Sequence, residues 1–261
     1  MNLQLTQEKV DKERQVVMEE YQQGRDRPDY RLYYSMLETV YTTHPYHVSP
    51  IGRREVIEGA SLETFRTFYQ DRYVPNQMIL ALVGDFQVEA TLARVRELWG
   101  GYAPGRPSFE QGLIEPAQQE FRFHQETAAT SETKLALAFP IPPSNHADLP
   151  ALELLAALLS RGNGSRLWKS LKLEEDLVRS VAASAERRLD PSIFEIEADL
   201  DPANLADALD KIATVLSDLA ANPPTLDELN RARTALISAE VLERQTPFAR
   251  AEALSVAEML G

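Results

Sequence analysis

The chain contains no cysteine. That excludes disulfides, thiolate nucleophiles and sulfur-bound metals. Histidine is scarce: the four are His44, His47, His124 and His146. No Ser/His/Asp constellation can be assembled from so few. No apolar run approaches the roughly 18 residues a membrane helix requires, and no signal peptide is visible. Positive charge is also short. Lys and Arg number 27 against 40 Asp and Glu, a net charge of −13. Nucleic-acid binding is thereby excluded, because a phosphate backbone needs a basic face. The acidity fits a soluble surface, or a field that draws cationic peptides. A chain without thiols suits the cytoplasm and the bacterial periplasm equally.

What is present is a globular composition, 44% hydrophobic and 26% charged over 261 residues. That is enough for one large domain or two ordinary ones. The most informative stretch is Glu13-Arg14-Gln15-Val16-Val17-Met18-Glu19-Glu20. It lies in a segment that reads as helix from about Gln7 to Gln22. Glu13 and Glu20 are seven residues apart, nearly two full turns, so both carboxylates project from one side. Val10, Val16, Val17 and Tyr21 fall on that side, and Asp11, Gln15 and Gln22 on the other. An amphipathic helix turns its valines inward, and here two acids are expected to turn with them. A buried carboxylate needs an ion pair, hydrogen bonds or a metal. Lys9, Lys12 or Arg14 could supply the ion pair. The alternative is a metal or catalytic role.

Along the chain, helices are predicted from Asp29 to about Thr42, over Leu62–Arg72 behind a Ser61 cap, and over Val88–Trp99. Phe65, Phe68 and Tyr69 are expected to be buried. Met78–Val83 reads as a buried strand. Ala103-Pro104-Gly105-Arg106-Pro107 opens a Pro- and Gly-rich stretch, so 104–119 is predicted as a linker between 1–103 and 120–261. The second half restarts with alternation at Phe121 and Phe123 and at Leu135, Leu137 and Phe139. Ala147–Ser160 is an apolar helix, with a second from Leu167 to Leu173. Val181, Ala183, Ala185 and then Phe194, Ile196, Ala198, Leu200 pattern as two half-buried strands around a turn at Pro191-Ser192. Pro202–Ala220 reads as helix. Thr225 and Glu228 form a capping box for a helix to about Arg244, which Pro247 breaks. Both halves mix antiparallel strands with helices, an α+β class.

Other candidates are weaker. His44 and His47 flank Pro45 and read as a loop fixed by hydrogen bonds rather than a metal pair. Gly162–Ser165 fits a tight interhelical turn better than an anion nest. Tyr30, Tyr33, Tyr34 and Tyr41 could line a peptide cleft, although packing explains them. Glu195, Glu197 and Asp199 alternate on a strand and read as a solvated face.

Several motifs together carry a resemblance. The string E-x-x-V-V-x-E-E at Glu13–Glu20 looks like the third-ligand helix of the pitrilysin/insulinase zinc metallopeptidases. His44-Pro45-Tyr46 with Pro50-Ile51-Gly52 resembles that family's H-P-Y…P-x-G loop. Tyr73-Val74-Pro75-Asn76-Gln77-Met78, running into Leu82-Val83-Gly84-Asp85-Phe86, is similar to its Y-x-P-N-N-M…G-D-F segment. Gly162-Asn163-Gly164-Ser165-Arg166-Leu167 resembles its G-x-x-S-R-L. The resemblance implies two similar domains, each a roll of antiparallel sheet and helices, and both truncated here. It implies peptide-bond hydrolysis by a zinc-activated water, with Glu20 as third zinc ligand and Glu13 as an accessory acid. It also implies a peptide or unfolded polypeptide as substrate, and a homo-oligomer or a heterodimer with a family paralogue. The family's H-x-x-E-H motif does not occur in this sequence. The chain therefore reads as an internal part of a longer peptidase, expected to hold no zinc and to be inactive alone. A non-catalytic partner subunit of the same family is the second reading. An exposed apolar surface or open strand edge is expected on the first half.

Overall fold

The computed structural model describes residues 3–105 and 113–260. The fold is α+β, dominated by helix, with one antiparallel sheet among the described residues. Part of the predicted linker, residues 106–112, lies outside them.

Helix α1 (Gln7–Asp26) starts where the Thr6 hydroxyl accepts the Lys9 amide, an ordinary N-cap. Pro28 forces the chain out of α1 and opens α2 (Pro28–Val40), since the residue before proline avoids the helical region. The two helices meet closely at Gly24. A Cβ there would sit 3.2 Å from the Tyr30 ring. Helix α3 (Arg54–Gly59) is tied to α1 by Arg14, whose guanidinium donates to the carbonyls of Ile57 and Ala60. Ser61 caps α4 (Leu62–Arg72), and α5 (Val88–Trp99) follows.

Several expectations for the first half are corrected. Phe65 and Phe68 are exposed, at 38% and 57%. Met78–Val83 forms no strand, and Ile79, Leu80 and Leu82 face solvent. Phe121 and Phe123 also lie in unpaired chain and are exposed. The physical reason is the same throughout. A strand exists only beside a hydrogen-bonding neighbour, and among the described residues none runs beside these segments.

The second half forms the larger core. Strands β1 (Thr133–Ile141), β2 (Val178–Ala185) and β3 (Ser192–Leu200) make a sheet in the order β1-β3-β2. Leu137 lies opposite Ile196 on one side of β3, and Ala183 lies opposite it on the other. Helix α6 (Leu149–Ser160), a π-helical turn (Trp168–Glu174) and α7 (Leu205–Ala221) cover one face. There Phe194, Ile196, Ala198 and Leu200 pack with Leu159, Leu171 and Ile212. Helix α8 (Leu226–Glu243) carries the predicted capping box and packs Ala232 onto Ala157 and Leu158 of α6. Pro247 opens a further helix, α9 (Pro247–Leu260).

The other face of the sheet is covered by α2. Met36, Leu37, Val40 and Tyr41 pack with Ile193, Ala136 and Ala138. A helix of the first half thus closes the core of the second. This overturns the expected solvated face on β3: Glu195 is only 6% exposed. Alternation correctly put the acids on the face opposite Phe194, Ile196, Ala198 and Leu200, but α2 packs over that face at Glu195.

Candidate functional site

Helix α1 places Glu13 and Glu20 on one flank, as their spacing requires. Its packed stripe runs through Val10 and Val17, against α2 and α3. The two acids do not turn inward with Val10. Both are exposed, as is Val16. The expected burial is therefore corrected: the carboxylates stand beside the packed stripe, not within it. The alternative of a salt bridge also fails. Among the described residues no hydrogen bond or ion pair engages Glu13 or Glu20. Arg14 instead bonds Asp11 and the α3 carbonyls.

No group of three His, Cys, Asp or Glu able to hold a metal occurs among the described residues. The histidines are also engaged or remote. His44 is 4% exposed and points Nε2 at Asp190 Oδ2, 3.3 Å away, while its Nδ1 accepts the Tyr46 amide. His47 Nδ1 lies 2.6 Å from the His44 carbonyl, which fixes the loop as expected. His146 bonds the Asp148 amide, and His124 is exposed. A tetrahedral site needs at least three protein donors, and Glu20 is a single carboxylate.

A polar cluster where α2 crosses the β2–β3 hairpin was not visible in the sequence. Tyr33 donates its hydroxyl to Glu186 Oε1 at 2.9 Å and accepts from Arg188 Nη2 at 2.8 Å. Arg188 stacks over Tyr46, 4.7 Å from the ring centre. Tyr41 donates to the Pro191 carbonyl at 2.9 Å. Burial, then the neighbouring Glu186, pushes the Tyr33 hydroxyl well above the ordinary tyrosine range. Burial pushes Tyr41 up to about 12. Both phenols stay neutral and act as hydrogen-bonding struts. Tyr30 and Tyr34 pack against each other with tilted rings, centres 4.4 Å apart. These tyrosines are packing and clamp residues rather than an open cleft.

Gly162 adopts φ +81°, which favours glycine. The Ser165 hydroxyl donates back to its carbonyl at 2.7 Å. The segment is a tight interhelical turn. It aims Arg166 at Glu228 on α8.

A helix-rich α+β chain, with an acid pair on its first helix and a helix-backed antiparallel sheet, defines the class of protein. The family model described as "Peptidase M16 inactive domain" matches residues 59–236, and the chain belongs to the M16 peptidase family. It is similar to "Zinc protease PqqE" of Helicobacter pylori, 29% identical over 243 residues. That match covers 88% of this chain and 53% of that protein. The chain thus spans about half the length of the curated relatives it matches. In fold it is similar to a protease from Helicobacter pylori at a TM-score of 0.87 and 24% identity, covering 99% of this chain and 64% of that one. It also resembles the peptidase M16 inactive domain from Pseudomonas fluorescens, at 0.80 and 19%, covering 98% and 60%.

Proposed function

We propose that this chain forms part of a zinc-dependent endopeptidase, in which Glu20 supplies one metal ligand and Glu13 an accessory acid. The observation that carries this reading is the exposed, unpartnered pair on α1. Two acids held on one flank of an otherwise packed helix, free of ion pairs, are available to groups from outside the described residues. The relatives of about twice this length, named zinc proteases, support it. The remaining metal ligands and the general base then come from another segment. Residues 1–103 serve as part of the first, catalytic domain, and 120–261 as a second wall against which a peptide or unfolded polypeptide is held. Alone, the chain neither holds zinc nor cleaves peptides.

The test uses a longer protein in which an H-x-x-E-H segment precedes this chain. Zinc content after dialysis and cleavage of an unstructured peptide are read together. Glu20→Gln should remove most of the bound zinc, because a neutral amide replaces a charged ligand. Glu13→Gln should weaken it by about 10–100-fold, as for a group that orients a ligand. Full zinc occupancy in the Glu20→Gln protein would overturn the assignment.

A second reading is favoured by a separate observation: the matched family model is that of the inactive domain. On it the chain belongs to a non-catalytic subunit that pairs with an active paralogue and helps enclose the substrate. A longer protein that binds no zinc, yet raises the activity of such a paralogue, would decide for it.

A further inference from the structure

Glu195 is the one charged side chain that the β3 strand buries between the sheet and α2, at 6% exposure. Its Oε1 has no hydrogen-bond partner. Among the described residues no ion pair engages it. Glu197, two residues along the strand and therefore on the same face, lines the same junction beside Asp29 and Leu32 of α2. A buried carboxylate with an unpartnered oxygen, on the same face as a second carboxylate, is costly when ionised and is stable there only if the pair holds a proton. We propose that the α2–sheet junction is a proton-dependent joint, closed while the Glu195–Glu197 pair holds its proton and loosened when that proton is lost.

The surroundings favour retention of the proton near neutrality. On the hairpin, Glu186 adds negative charge, and Arg188 opposes it while already engaged by Glu186 and Tyr33. On α2 the facing group is Tyr33, a neutral phenol. Strand β1 offers Ala138 opposite Glu195, and strand β2 offers Ser184. Lys134 of β1 lies further along, bound between Asp29 of α2 and Asp199 of β3 at 2.6 Å each. His44 and Tyr46 face the hairpin, where they hold Asp190. Burial first, then Glu197 and Glu186, push the Glu195 carboxyl up to about 9.

The direction of the pH effect follows. In the unfolded chain Glu195 ionises near the usual 4.5, whereas the folded chain keeps the proton to about 9. Between those values the unfolded state binds fewer protons, so stability falls as pH rises and levels off above the upper value. The loss should concentrate where the proton is held, under α2.

The experiment compares the full chain with Glu195→Gln, whose amide keeps the shape and cannot ionise. Thermal unfolding between pH 5 and 8.5 should show the two close together at pH 5. The variant should become progressively more stable as pH rises. Taking the difference cancels His44 and the other groups that do not interact with Glu195, and leaves the titration of the Glu195–Glu197 pair. Hydrogen exchange, corrected for the intrinsic rate, should show α2 amides opening at least about tenfold more at pH 8.5 than at pH 6 in the native chain, the change one unit of linkage gives. The α7 amides, on the other face of the sheet, should change much less. A stability gap independent of pH, or equal loosening of α2 and α7, would overturn the proposal. The carboxyl carbon resonance of Glu195 in the native chain gives a readout that does not depend on the variant folding. A midpoint above 7 supports the joint, and one in the ordinary glutamate range sinks it.

Discussion

Arg166 grips Glu228 through two edges of its guanidinium, Nε to Oε1 at 2.8 Å and Nη2 to Oε2 at 3.2 Å. The same carboxylate completes the capping box of α8, accepting the Thr225 amide at 2.8 Å. One carboxylate thus starts a helix and ties it to the turn after α6. Each side chain is about one-fifth exposed, so the pair is better shielded than a surface bridge.

Arg166→Ala should therefore cost about 1.5–3 kcal/mol, the range for hydrogen bonds to charged groups. Urea unfolding at pH 7 would measure it. The hydrogen bond from Arg166 first, then those from Thr225, hold the Glu228 carboxyl at about 2. Its contribution is full above the unfolded value near 4.5 and is lost as pH falls toward the folded one. The gap between native and Arg166→Ala should narrow from pH 4.5 downward. A gap that stays constant to pH 2.5 would show that Glu228 is not the source.

Glu115 makes a second prediction. Its carboxylate accepts the backbone amides of Thr42, Thr43 and His44 at 2.8, 2.8 and 2.9 Å, and the Thr42 hydroxyl at 2.7 Å. Burial alone would raise its pKa, but these donors outweigh burial and hold it at about 2. Arg122 reinforces the tie by donating to the Thr39 and Val40 carbonyls at the end of α2. Glu115→Ala strands three amides together, and should cost about 1–3 kcal/mol. The Thr42, Thr43 and His44 amides should lose exchange protection, while β3 keeps its own. Unchanged protection at those amides would remove the role assigned to Glu115.

How far the sequence reveals this fold depends on whether the deciding partner is near or far along the chain. Local signals sufficed for the Ser61 cap, the Thr225–Glu228 box, the break of α8 before Pro247 and the alternation of Phe194, Ile196 and Ala198. Each is set by neighbours within a few residues. Met78–Val83 and Phe121–Phe123 carry equally good strand patterns yet pair with nothing among the described residues. Strand formation depends on a distant partner that propensity cannot report. The acids of β3 were misread for the mirror reason. Period two distinguishes faces but not what covers each face, and only the folded chain puts α2 over Glu195. Glu13 and Glu20 were legible as a pair by spacing. Their exposure was not, because the packed stripe of α1 was decided by α2 and α3.

The first half presents an apolar surface to solvent. Phe68, Ile79, Leu80, Leu82, Leu98 and Trp99 are each more than 40% exposed. Single exposed leucines are ordinary, but a series of them along an extended chain and its flanking helices is not. Residues 78–83 also carry backbone donors and acceptors that no strand among the described residues satisfies, and such a segment recruits other chains. The chain alone should therefore self-associate at low micromolar concentration, detectable by sedimentation. Association should weaken in Leu80→Lys with Leu82→Lys, since two charges on the extended segment oppose both apolar contact and strand pairing. Secondary structure should be unchanged in that variant, because neither side chain contributes to the buried core. High salt should strengthen association by screening the net charge of −13. A monomer at all concentrations would refute the prediction, and association indifferent to both lysines would place the contact elsewhere. The exposed α9 face around Phe248 and Leu254 would then be the next surface to test.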